Sequence, residues 1–172
     1  RAWIAIVTPE IKRHGVALAA ELSRLFQEQW PDEPLRVDVT RFAPPPGAAY
    51  TTFGPPHITI SGRDARNQTP AALEILLHEA SHLIVRTLRD RVARELEAQG
   101  KKDPSLWHAL LFFTSGDAVR RHFVGYQAYA DREGLYHDRW RTYRQALDKH
   151  WVPYLEGRES VDTAIKALVT AL

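Results

Sequence analysis

Two histidines and a glutamate interrupt an otherwise apolar stretch, "LEILLHEASHLIVRTL", residues 73–88, where His78, Glu79 and His82 stand in the order H-E-x-x-H. On a helix, residues four apart lie one turn apart on the same face, roughly 40° around the axis at about 100° per residue, so both imidazoles can close on one metal ion. Zn²⁺ is the ion such a pair suits. Glu79, the next residue round, is placed to act on a water that the metal activates and not on the metal itself. The chemistry is amide hydrolysis: the metal polarises the carbonyl and Glu79, as general base, takes the water's proton. Were the pattern an accident, two histidines flanked by apolar residues would need other partners, because buried polar groups are costly without them.

The motif lies on a helix that the flanking residues specify. Thr69-Pro70 supplies an expected N-cap with proline at the first helical position, and Glu74 complements the dipole in the first turn. Leu73, Leu76, Leu77, Ala80 and Ile84 form an apolar sector, and the helix is expected to continue through a charged stretch to about Gln99. Upstream, "AWIAIVT" reads as a short buried strand ended by Thr8-Pro9, and the spacing of Val16, Leu18, Leu22, Leu25 and Phe26 predicts a helix over 11–30. "PLRVDVTRF" and "HITISG" alternate as half-buried strands. Between them "APPPGAAYTTFGPP" reads as a long loop, a lid or a rim. Downstream, "SLWHALLFFTSGDAVRRHF" reads as a helix with a break at Gly116, residues 126–150 as helical, and 159–171 as a last amphipathic helix. Trp140, Tyr143 and Leu147 share one helical face and read as core. The fold class is α+β: about three strands with the motif helix in residues 1–99, then a helical part in 100–172, together one domain.

Composition bounds the rest. With 172 residues, 44% of them apolar, the chain can bury a core without a metal or disulfide staple. A net charge of +2 gives no case for nucleic acid, and no apolar run is long enough to span a bilayer. The absence of cysteine excludes thiolate metal sites and a cysteine nucleophile. No methionine is present, so Arg1 is expected to be a processed or trimmed end; an exported or periplasmic location is slightly favoured. No G-x-G-x-x-G, P-loop or nucleophile-elbow string occurs, so nucleotide and serine-hydrolase chemistry have no motif behind them.

"HEASH" on its helix, after an alternating strand, resembles the zincin superfamily of zinc metallopeptidases. The resemblance covers residues 1–99 in element order and five residues in motif. It implies His78 and His82 as zinc ligands, Glu79 as catalytic base, and a peptide or protein substrate. It also implies that His57, Ile58, Thr59, Ile60 and Ser61 form the edge strand along which a peptide pairs. His57 itself reads as a strand-face residue and not a ligand. The metzincin extension is absent, since Val85 and Leu88 stand where its glycine and histidine would be, and so is the N-E-x-x-S-D string of the thermolysin-like group.

A catalytic zinc usually takes a third protein ligand. His108 follows a tryptophan at the start of an apolar helix that has no structural need for it, and Asp117 and His122 compete. A motif helix running straight to Gln99 puts His122 level with His82, whereas an earlier break favours His108. "WHALLFFTSG" resembles a segment of bacterial proteins that carry an H-E-x-x-H site, which implies His108. Tyr126 and Tyr129 are candidate donors to a developing oxyanion. A zinc-dependent metallopeptidase is the first functional expectation. The second is a zincin-derived module that binds metal or a protein partner without turnover.

Overall fold

Trp3 and Val7 are the only residues of "AWIAIVT" that face the core; they stand four apart, while Ile4 and Ile6 are exposed. That is a helical period. The expected first strand is therefore the opening of a long helix, α1 (Ala2–Phe26). A short apolar run reads alike as strand or helix, and here tertiary packing decides. Pro9 lies inside α1 without ending it; the intrahelical bond that it removes is the one to exposed Ala5. Trp3 Nε1 donates to the Asn67 carbonyl at 2.6 Å and pins this end of the helix.

In this computed structural model, which describes residues 1–43, 49–137 and 140–172, the chain is an α+β protein. After α1 come β1 (Arg36–Thr40), β2 (Ala49–Phe53) and β3 (Pro56–Ser61), in the order β1-β3-β2, with β1 parallel and β2 antiparallel to β3. Two corrections follow. β2 forms from "AYTTF" inside the stretch expected as loop, because the prolines flank its β-forming residues; residues 44–48 of that stretch lie outside the described residues. And β3, which carries His57 to Ser61, is central, so it is not the edge strand. Its Ile58, Thr59, Ile60 and Ser61 are all buried.

The motif helix is α2 (Ala71–Ser81), and all eleven of its residues are buried. Ala72, Ile75, Leu76 and Ala80 pack with Ile58 and Ile60 of the sheet, whereas Leu73 and Leu77 join a larger core among the helices. A helix sandwiched in this way presents apolar residues to both neighbours, and its Glu74, His78, Glu79 and Ser81 are buried polar exceptions. It starts after Pro70, which occupies the N-cap, and no side chain caps it, so Thr69 does not have the expected role. It also stops early. The chain turns at residues 82–85 before α3 (Arg86–Ala98) leads away, contrary to one straight helix reaching Gln99.

α4 (Leu106–His122) runs through Gly116 unbroken. Residues 126–150 are only partly helical: α5 (Tyr129–Arg132) and α6 (Tyr143–Ala146) are single turns, and a π-helical turn at 147–151 leads into α7 (Val152–Leu155). α8 (Val161–Ala171) closes the chain, capped by Ser160 Oγ, which accepts from the Thr163 amide at 3.2 Å. Trp140, Tyr143 and Leu147 are in the helical core. Among the described residues no helix is long and apolar enough to cross a membrane.

Candidate metal centre

The break after Ser81 brings the site together. The amides of His82, Leu83 and Ile84 bond back to the carbonyls three residues earlier, at 3.0 to 3.2 Å, which tightens the end of α2 into a turn. α4 then returns beside α2. Its start is fixed by Asp103, whose Oδ1 accepts from the amides of Ser105 and Leu106 at 3.0 and 3.1 Å and whose Oδ2 accepts from the Tyr143 hydroxyl. His108, in the first turn of α4, thereby faces His78 and His82.

The three imidazoles form a near-equilateral triangle, with ring centroids 5.0 Å apart for His78 and His82 and 5.3 Å for each to His108. One candidate ligand nitrogen from each lies within 4.8 Å of the others, so His78, His82 and His108 could hold a metal ion. The Nε2 atoms of His78 and His108 are 3.4 Å apart. Tetrahedral zinc with bonds of about 2.0–2.1 Å sets neighbouring nitrogens about 3.3–3.4 Å apart, so this pair already has the spacing of two ligands on one ion. Burial, with His82 and His108 nearby, holds the His78 imidazole well below its ordinary value, and burial takes His82 down to about 4. At neutral pH both are uncharged, which leaves a lone pair to offer. Among the described residues, His78 Nδ1 is buried without a hydrogen-bond partner. Phe112 stacks on the His78 ring at 3.7 Å, while Trp107 and Trp140 pack against His108.

Glu79 stands beside the triangle at 8% exposure, and burial pushes its carboxyl up to about 7. The Thr51 hydroxyl, on β2, lies 2.8 Å from Glu79 Oε2 and 2.6 Å from the Glu79 carbonyl, and works against that rise. A cleft of about 430 Å³ opens at the histidines, lined by residues of β2 and by Tyr129, Leu135 and Trp140. Among the described residues β2 pairs only with β3, so its other edge is free.

The remaining expected residues fall elsewhere. Asp117 is buried in ion pairs with Arg120 and Arg121, both at 2.5 Å, and His122 lies by Glu21 at 3.8 Å; neither joins the triangle. Tyr126 donates to Glu74 at 2.6 Å, which occupies its hydroxyl, whereas Tyr129 lines the cleft. His57 Nε2 is 3.8 Å from Asp38 on the neighbouring strand. Sequence reasoning missed Thr51 because the prolines around "AYTTF" hid a strand. It also read Glu74 as a dipole partner, although that residue is fully buried. Comparison with protein-family models, with curated proteins and with solved structures finds no match.

Proposed function

We propose that this protein is a zinc-dependent hydrolase, most simply a metallopeptidase of zincin-like architecture, with His78, His82 and His108 as metal ligands and Glu79 as general base. The observation that carries the reading is the convergence of three imidazoles beside a buried glutamate, on the floor of a cleft. When bound, zinc supplies a Lewis acid for the scissile carbonyl and makes a water acidic enough to be deprotonated near neutral pH.

The chain's own residues supply the rest. Glu79, raised to about 7 by burial, is poised to accept a proton from water and return it to the leaving amine. Thr51 holds that carboxylate in place by its hydrogen bond from β2. The free edge of β2 offers unpaired backbone groups to an extended peptide, a role expected of β3 and transferred here to its neighbour. Tyr129, and not Tyr126, has a hydroxyl at hand for a developing oxyanion.

The test is metal analysis of protein made without a histidine tag, followed by peptide hydrolysis with wild type and Glu79→Gln. The expected result is near-stoichiometric zinc in both and turnover in the wild type alone. Absence of zinc after loading would overturn the metal centre, and equal hydrolysis by both proteins would overturn Glu79 as base. Zinc without turnover or hydroxamate binding would leave a metal-binding module.

A further inference from the structure

Glu74 lies one turn before His78 on α2, at 0% exposure, with no part in the chemistry above. Its two carboxylate oxygens share the Tyr129 amide hydrogen at 3.0 and 2.9 Å, and Oε2 also accepts from the Tyr126 hydroxyl at 2.6 Å. Both donors come from residues 126–129, the short segment that leads into α5. A buried carboxylate held this way fixes the backbone that holds it, since losing either donor leaves a charge unsatisfied.

α4 makes room for the arrangement. A Cβ at Gly116 would stand 2.7 Å from the Ala128 Cβ and 3.1 Å from Glu74 Oε1, too close for the segment to keep its position. Three elements thus meet at one carboxylate, and the residue they fix is Tyr129. Tyr129 is only 4% exposed, lines the histidine cleft and stacks on Phe112, the ring that covers His78. Among the described residues its hydroxyl has no hydrogen-bond partner and is not one of the fully buried polar atoms, so it is open to a ligand in the cleft.

We propose that Glu74 is a positioning residue, which holds the Tyr129 backbone so that the phenol donates to an anionic oxygen of whatever ligand occupies the histidine cleft. This rests on the metal-centre reading. It also separates two jobs along one helix: His78 and Glu79 serve the metal site, and Glu74 aligns a donor that lines the same cleft.

The test is titration of the Co²⁺-loaded protein with acetohydroxamate, followed by visible absorption, in wild type, Tyr129→Phe, Glu74→Ala, Glu74→Gln and the double variant Glu74→Ala/Tyr129→Phe. Loss of one hydrogen bond to a charged probe weakens binding by about tenfold. Tyr129→Phe and Glu74→Ala should each show that loss, and the double variant no more than either alone. Glu74→Gln retains an acceptor for the Tyr129 amide and should stay within about twofold of wild type. The Co²⁺ spectrum and stoichiometry should be unchanged throughout, which general damage to the fold would not allow. Should Glu74→Ala not fold, Gly116→Ala presses on the same segment and should weaken the probe only when Tyr129 is present. Losses that multiply in the double variant, a Glu74→Ala or Gly116→Ala protein that binds like wild type, or a Glu74→Gln as weak as Glu74→Ala would each overturn the role of Glu74 alone. A wild type that takes up no Co²⁺ would overturn the metal centre and this proposal with it.

Discussion

Replacing Glu74 by glutamine should make the metal-free protein more stable at high pH and little different at low pH. Burial pushes the Glu74 carboxyl from its ordinary 4.5 up to about 7, against the opposing hydrogen bonds from Tyr126 and Tyr129. The folded state therefore binds the proton more tightly than the unfolded chain does. The stability this group contributes is complete below pH 4.5 and is lost as pH rises through 7. The difference between the two values corresponds to about 3 kcal/mol. Glutamine has almost the same shape and no proton to lose, so its stability carries no such term. For a chain of this size, about 2–4 °C per kcal/mol converts the difference to a rise in Tm of roughly 6–12 °C at pH 8. Thermal unfolding in EDTA at pH 4 and pH 8 measures it, and because Glu79 titrates in the same range in both proteins, the comparison isolates Glu74. Parallel loss of stability by the two proteins between these pH values would refute the reasoning.

His108→Ala should weaken zinc binding by on the order of a hundredfold or more, whereas Asp117→Asn and His122→Ala should leave it unchanged; competition with a chelating dye separates these outcomes. In a Glu79→Gln background, zinc affinity should fall by no more than about fivefold between pH 7.5 and 6, and then drop as pH passes through about 4 and His82 takes up a proton. Three ordinary imidazoles would lose more than about fiftyfold over the same interval, so isothermal titration at the two pH values decides. Thr51→Val removes the hydroxyl beside the Glu79 carboxylate and should cut turnover by about tenfold with zinc content unchanged, as hydrolysis rates and metal analysis would show.

The motif helix, β1, β3 and the last helix were legible because each carries its own periodicity, and α2 is bounded by Pro70 at its start. His108 was legible as a histidine with no structural reason to open an apolar helix. The sheet order was not, because pairing partners leave no mark on a single strand: "HITISG" alternates equally well at an edge or in the centre. The opening helix was misread since Trp3, Ile4, Ile6 and Val7 make an unbroken apolar run, and only the exposure of the two isoleucines reveals the period. Nor does the turn at residues 82–85 announce itself: "HLIVRTL" has no glycine or proline, and its break comes from packing. That one turn decided between His108 and His122.

The burial of α2 on every side also governs the order of events during synthesis. When residue 99 has left the ribosome, the motif helix, His78, His82 and Glu79 are all present together with α1, but the later members of the core that Leu73 and Leu77 join, among them Leu110, Trp151 and Leu168, are not. His108 arrives with the first of them. The nascent chain thus carries an incompletely covered apolar helix until α4 is made, and the histidine triangle is completed only as that surface begins to disappear.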